Sequence, residues 1–88
     1  MPHSASAKKR LRQNELRRVR NRTVRTAIRT QIRKVRTAIA ARDPEASAAQ
    51  LRLAAKKLDQ AAAKRVIHPN AAARTKSRLS AAIKALRS

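Results

Sequence analysis

The 88-residue chain carries 24 Lys and Arg residues against four Asp and Glu, a net charge of +20, and it contains no Phe, Trp, Tyr, Gly or Cys. This length fits one small domain with a modest core. Without glycine the chain lacks Gly-rich phosphate loops, and without cysteine it lacks disulfides and thiolate zinc sites. Without aromatic residues it also lacks the stacking platforms of common single-strand binders. So large a charge of one sign indicates a polyanionic partner.

The chain begins with small and polar residues, MPHSASA at positions 1–7, and we expect them to be flexible. Ser4 or Ser6 suits the N-cap of a following helix. The next turn is basic, however, which is the unfavourable sign at the positive end of a helix dipole. This end of the chain is therefore expected to fray when no partner is bound.

A first helix is predicted from about residue 8 to 41, and it would be about 50 Å long if continuous. The 29 residues from Lys8 to Arg36 include 13 Lys or Arg and one acid, Glu15. On a helical wheel the second half has an apolar side, made of Val24, Ala27, Ile28, Ile32, Val35, Ala38 and Ile39. The other side carries a row of arginines, called the arginine edge below: Arg22, Arg25, Arg29, Arg33 and Arg36.

The first half of this helix has no apolar side, because its basic residues point in every direction: Lys8, Lys9, Arg10, Arg12, Arg17, Arg18 and Arg20. We call residues 8–20 the arm. The arm has no face to pack on a protein core, so we expect it to overhang the bundle and to project into a polyanion or to stay loose. A row of threonines flanks the arginine edge: Thr23, Thr26, Thr30 and Thr37. They either bond the carbonyls four residues earlier or contact the partner.

A second helix is predicted from about residue 44 to 64. Asp43 suits its N-cap, Pro44 its first position, and Glu45 is favourable in its first turn. The inner face consists of Leu51, Ala54, Ala55, Leu58, Ala61 and Ala62. Leu53 lies off this face and has no assigned role.

A third helix is predicted from about residue 70 to 86, after a break at Pro69, which disfavours helical geometry at His68. Asn70 suits the N-cap of this helix. Its inner face consists of Ala72, Leu79, Ala82, Ile83 and Leu86. Short connections imply antiparallel neighbours, so the predicted fold is all-α, a three-helix bundle with a long, overhanging basic N-terminal helix. Residues 8–88 would form its single domain.

We expect no catalytic site, metal site, cofactor or small-molecule substrate, because the few acids and histidines are scattered or explained by helix caps. No segment has the ~18 apolar residues of a membrane span. The arginine edge is either a solvated face or a phosphate-binding one, and the near absence of acid partners favours phosphate. A second basic cluster follows the last break: His68, Asn70, Arg74, Lys76, Ser77 and Arg78. It is either a turn, a cap and a solvated helix, or a nucleic-acid contact.

The missing aromatics disfavour reading of splayed single-stranded bases, so phosphate and sugar contacts to a folded, mostly helical RNA fit better. Two alternatives share the same charge. A nucleoid-type DNA-binding protein would need wedges for bending DNA, which the chain lacks. A membrane-active amphipathic helix would usually carry Trp or Phe at the interface, and neither is present.

Two segments resemble a known family. One is the basic opening, from Lys8-Lys9-Arg10 through Arg17-Arg18 to Asn21-Arg22, and the other is IHPNAAARTKSRL at residues 67–79. Both are similar to segments of the ribosomal protein S20 family of the bacterial small subunit. The resemblance covers the chain from Ala7 onward. It implies a three-helix bundle that binds 16S ribosomal RNA within the 30S subunit, is ribosome-bound in the cytoplasm, and makes few protein contacts. The long first helix would be buried among RNA helices.

This resemblance extends the RNA-contact prediction to all the basic positions named above and to His68, Asn70, Lys76, Ser77 and Arg78. The chain departs from the family pattern at two places. The family often has glycine where this chain has Arg65, so the second helix must end without the residue that best suits left-handed geometry. The family often has a basic residue where Pro69 stands, and the opening MPHSAS also differs.

Overall fold

The computed structural model describes residues 5–87, which form three α-helices and no strand. Helix α1 spans Ala5–Ala40, α2 spans Pro44–Ala63 and α3 spans Pro69–Leu86. The predicted all-α fold with a long basic first helix is confirmed. Helix α2 lies between the other two and packs on both, whereas α1 and α3 touch less. The described chain measures 63 × 20 × 14 Å, and α1, about 54 Å long at the helical rise per residue, accounts for most of the long dimension.

The core has two layers along the shared length of the helices. One layer joins Ile28 of α1 to buried residues of α2, the following turn and α3: Leu58, Ala61, Val66 and Ala72. The other joins Val35 of α1 to Ala54, Leu79 and Ile83. Ile32 contacts both layers. Alanines at α2 positions in both layers let the helices approach closely, because their side chains occupy little space.

Two positions on α1 differ from the predicted apolar side. Ala27 is exposed, because it lines an open groove between α1 and α2 together with Lys57 and Gln60. Gln31 is only 3% exposed although it is polar. Its Nε2 donates to the backbone oxygen of Gln50 at 3.0 Å and to the Gln50 side-chain Oε1 at 2.7 Å. Burial of the amide is tolerated here because its donors have partners.

Helix α1 begins three residues before the predicted start. Residues 5–7 were expected to be flexible but are helical, and Ser6 therefore lies inside the helix rather than at its cap. Extending a helix by one residue adds one hydrogen bond at little conformational penalty, and alanine is the best helix former. The other predicted cap, Ser4, and the rest of the expected flexible start at positions 1–3 lie outside the described residues.

The caps of α2 and α3 use different side chains. Asp43 caps α2 as predicted, with its Oδ1 accepting from the Ala46 N–H at 3.1 Å and Pro44 following at the first helical position. Asn70 was predicted to cap α3, and this is wrong. Pro69 occupies the first helical position, so the cap is His68, whose Nδ1 accepts from the Asn70 N–H at 3.1 Å. The fixed φ of proline places the helix start one residue earlier than the asparagine suggested.

Two residues after the last residue of α1 and of α2, an arginine has left-handed backbone geometry: Arg42 with φ 57° and Arg65 with φ 60°. The Arg65 N–H donates to the Ala62 carbonyl at 3.0 Å, and the Val66 N–H donates to the Ala61 carbonyl at 2.9 Å. This pair of bonds is a Schellman motif, in which glycine is the usual left-handed residue. The same motif surrounds Arg42. A residue with a Cβ pays about 1–2 kcal/mol for this conformation.

Candidate nucleic-acid interface

The arm is a helix without protein contacts on any side, because every residue from 8 to 20 is exposed. The exposed residues include three large apolar ones, Leu11 at 62%, Leu16 at 60% and Val19 at 56%. The wheel places them away from the side of α1 that packs on α2. The predicted overhang of the basic N-terminal helix is therefore what the structure shows, and all seven predicted basic residues of the arm are accessible.

The arginine edge continues the exposed surface along α1, with all five of its arginines exposed. A groove joins the last turn of the arm to this edge and is lined by Arg18, Arg22, Arg25, Thr26 and Arg29. Guanidinium groups at such spacing suit phosphate oxygens, which they bind bidentately. The grouping needs no tertiary contact, because a helix alone brings residues three and four apart onto one side.

One arginine of the edge also contacts the rest of the protein. Arg25 Nη2 donates to the backbone oxygen of Val66 at 3.3 Å. Val66 belongs to the turn between α2 and α3, so this contact brings that turn against the arginine edge. The two predicted basic clusters, one on α1 and one beginning at His68, are thereby joined at this end of the bundle.

The threonine row mostly serves the helix itself. Thr23, Thr30 and Thr37 each donate their hydroxyl to the carbonyl four residues earlier, at 3.1, 3.0 and 2.9 Å. This geometry is the common one for helical threonines. Of the two alternatives for the row, the helix-internal one is observed at these three positions.

The second cluster divides into free and engaged side chains. Arg74, Ser77 and Arg78 are exposed on α3. Lys76 is engaged, since its Nζ lies 2.7 Å from Asp59 Oδ1 and joins α3 to α2. His68 uses Nδ1 as the cap of α3, and Asn70 supplies the N–H that it accepts. Two members of the cluster therefore have structural roles, whatever else they bind.

The surface has almost no internal charge compensation. Within residues 5–87 the Lys76–Asp59 pair is the one ion pair formed. Both partners are partly exposed, so the pair stabilises the fold by no more than about 1 kcal/mol. The remaining basic side chains face solvent, and their mutual repulsion favours binding of an external polyanion.

Several exposed basic residues are absent from the predicted RNA contacts. The only sequence signal for them is the shortage of acidic partners, and that shortage does not distinguish one basic position from another. They are spread over the three helices and the residues that follow each of them: Lys34, Arg42, Arg52, Lys56, Lys57, Lys64, Arg65, Lys84 and Arg87. The structure separates them by location. Arg65 lies in the turn that touches Arg25, whereas Arg42 lies beside the acids Asp43 and Glu45 at the opposite end of α2.

Between residues 5 and 87, no group of three or more acidic or histidine side chains is placed to hold a metal ion. None of the helices between residues 5 and 87 contains an apolar stretch of the length that a membrane span requires.

Comparison with known proteins adds an independent observation. Residues 2–84 match the model of a family described as ribosomal protein S20. The small ribosomal subunit protein bS20 of Rhodopirellula baltica is 55% identical over 84 residues, covering 96% of this chain and 93% of its own. The bS20 of Coxiella burnetii strain Dugway 5J108-111 is 49% identical over 88 residues, covering 100% and 98%. That of Nocardia farcinica is 48% identical over 86 residues, covering 98% and 100%.

Proposed function

We propose, from the premise that this chain belongs to the ribosomal protein S20 family, that it is a structural constituent of the small ribosomal subunit and binds 16S ribosomal RNA directly. The family is one of ribosomal structural proteins, so the chain is not an enzyme. The proposal places the protein on ribosomes in the cytoplasm, with RNA as its main neighbour and few protein contacts. The single observation that carries RNA binding is the arm, which is basic and exposed on every side.

The geometry supports two different modes of RNA contact, one for the arm and one for the arginine edge together with the α3 cluster. The arm is proposed to enter a space between RNA helices, where phosphates on several sides can meet its basic residues. The arginine edge and the α3 cluster are proposed to lie against RNA on one side only, because their opposite sides pack in the bundle. The proposed contacts are Lys8, Lys9, Arg10, Arg12, Arg17, Arg18, Arg20, Arg22, Arg25, Arg29, Arg33, Arg36, His68, Asn70, Arg74, Lys76, Ser77 and Arg78.

Phosphate contacts position a protein and carry little sequence information. The proposed selectivity therefore comes from shape. A rigid row of guanidinium groups along α1 matches phosphates only where RNA backbones follow the same line, and an all-round basic arm needs a cleft rather than one duplex. Binding would in turn stabilise the RNA fold that provides this cleft, since a ligand that prefers one state shifts the population towards it.

A competition experiment tests the proposal. The purified protein is bound to labelled 16S ribosomal RNA at about 0.1 M salt, a range in which phosphate contacts remain effective. Excess duplex DNA is then added in one series and excess unlabelled 16S RNA in another. Binding should survive the DNA and be lost to the RNA. Equal loss to both competitors would show a general polyanion binder and contradict the proposal.

Association with the subunit is tested separately. In an extract of the source cells, the native protein should co-sediment with 30S particles and remain with them after a high-salt wash. Sedimentation with free nucleic acid or release at moderate salt would indicate that it is not a constituent of the particle.

A further inference from the structure

We propose that Arg65 is an additional RNA-contacting residue, and that it occupies a left-handed backbone position for which the fold alone would favour glycine. This inference rests on the function proposed above. Arg65 lies outside the two basic clusters predicted from the sequence. Three observations support it: its strained backbone, its free side chain, and its location beside the arginine edge.

The backbone conformation is the first observation. Arg65 has φ 60° and completes the Schellman motif that ends α2. The motif needs only the N–H and the left-handed turn, and both are supplied better by glycine, which has no Cβ to clash. The hydrogen bonds of the motif therefore explain the turn and leave the arginine side chain unexplained.

The side chain is the second observation. The guanidinium group of Arg65 is exposed and makes no hydrogen bond or ion pair with any residue from 5 to 87. It thus contributes nothing polar to the fold that would offset the unfavourable backbone. A strained residue that the fold itself does not use is a reason to seek a functional role for it.

The location is the third observation. The neighbouring residue, Val66, accepts the hydrogen bond from Arg25 Nη2 at 3.3 Å, so the backbone around Arg65 lies against the arginine edge. The turn also forms a groove whose lining includes Arg65 and His68. Arg65 therefore bridges the basic surface of α1 and the start of α3, where an RNA backbone lying on the arginine edge would meet it.

Arg42 provides a matched control within the same chain. It ends α1 in the same motif with φ 57°, and its replacement by glycine removes the same charge and the same backbone strain. It is adjacent in sequence to Asp43 and close to Glu45. Within the described residues, no arginine of the edge donates a side-chain hydrogen bond to its turn, whereas Arg25 donates one to Val66 beside Arg65. Any effect of net charge alone should be equal at the two positions.

The experiment compares Arg65→Gly, Arg65→Lys and Arg42→Gly with the unchanged protein. Thermal unfolding of the free proteins and the salt dependence of binding to transcribed 16S ribosomal RNA are both measured. Both glycine variants should raise the melting temperature by a few degrees, because the left-handed strain is relieved. Arg65→Gly should nevertheless weaken RNA binding by roughly 3- to 10-fold and lower the salt slope by about one, as expected for the loss of one phosphate contact. Arg65→Lys should retain most of the slope.

Each outcome decides the question. If Arg65→Gly binds RNA like the unchanged protein with the same slope, or if both glycine variants weaken binding equally, Arg65 is not a contact and the inference is overturned. If the unchanged protein does not bind 16S RNA at all, the proposed function itself fails. A more stable variant that binds less well cannot have lost affinity by unfolding, so weakened binding by Arg65→Gly alone supports the contact.

Discussion

Gln31 is one of two polar residues buried in the described bundle, the other being Ser47 in the first turn of α2. Its side-chain amide is buried between α1 and α2 and donates two hydrogen bonds to Gln50. Such a pair fixes the relative position of two helices, since sliding one past the other would leave buried polar atoms without partners. The alanine-rich surface of α2 is otherwise poor in features that would set this register.

Replacing Gln31 with alanine should therefore lower the free energy of unfolding by about 1–3 kcal/mol, because the bonds to Gln50 are lost inside the protein. Urea unfolding followed by circular dichroism measures the change. Gln13→Ala is the matched control, since Gln13 lies on the exposed arm and should change stability by less than about 0.5 kcal/mol. Equal effects of the two substitutions would argue against a role of the buried amide.

At the scale of the elements, α1 is one helix with two different parts. The part that packs on α2 holds both core layers together through Ile28, Ile32 and Val35. The arm has no such contacts, and its like charges three or four residues apart, Lys8–Arg12, Lys9–Arg12 and Arg17–Arg20, disfavour the helix by a few tenths of a kcal/mol per pair. The same helix thus has a stable half and a half whose helicity depends on its surroundings.

Amide hydrogen exchange of the free protein should show this division. We expect fast exchange over the arm and slow exchange over residues 28–39, because opening the arm disrupts no packing. Mass spectrometry or NMR of the protein without RNA is sufficient for the measurement. Addition of 16S RNA should slow exchange in the arm if RNA surrounds it. Uniform protection of α1 in the free protein would contradict the division.

The arginine edge can be tested as a unit. Replacing Arg22, Arg29 and Arg33 together by glutamine should reduce the salt slope of RNA binding by about two to three, if each binds one phosphate. Arg25 is left unchanged, because its contact with Val66 would mix a folding effect with a binding effect. The slope is obtained from the dissociation constant at several salt concentrations.

The control for this triple variant removes three charges elsewhere, at Arg52, Lys56 and Lys84, which are exposed on α2 and α3. It has the same net charge as the arginine-edge variant, so long-range attraction to RNA is reduced equally. A smaller change in slope is expected for the control. If the two variants behave alike, the arginine edge faces solvent.

At the scale of the whole molecule, the charge of +20 acts in opposite directions on folding and on binding. Repulsion between basic residues opposes the compact bundle. Salt at 0.1 M largely screens this repulsion between exposed charges that are more than about 10 Å apart. Salt also competes with basic residues for phosphates and weakens RNA binding. The same ions should therefore stabilise the free protein and destabilise its complex.

Raising NaCl from about 0.05 to 0.5 M should increase the melting temperature of the free protein while decreasing its affinity for 16S RNA. Differential scanning calorimetry and filter binding at matched salt concentrations measure the two trends. A melting temperature that falls with salt would indicate that attractive ion pairs, beyond the one formed by Lys76 and Asp59, hold the bundle together.

Much of the fold followed from local patterns. The period of the apolar residues predicted three helices, and Asp43 with Pro44 correctly marked the start of α2. The exposed arm was also predicted, because no side of residues 8–20 is apolar and exposure there needs no knowledge of the neighbours. These features depend on the helix period, on caps and on charge, which act within a few residues of each other in the chain.

Contacts between distant segments were decided by the tertiary structure alone. The pairing of Gln31 with Gln50, of Lys76 with Asp59 and of Arg25 with Val66 depends on how the helices are placed against each other, which no local pattern contains. The cap of α3 was wrongly predicted at Asn70 for a local reason instead, because Pro69 begins the helix and leaves His68 as its cap. The sequence by itself thus determined which surfaces are basic and which are apolar, because side-chain periodicity is a local property. The three-dimensional fold decided which basic residues are free and which are engaged, because a partner 17 to 41 positions away is found only when the helices pack.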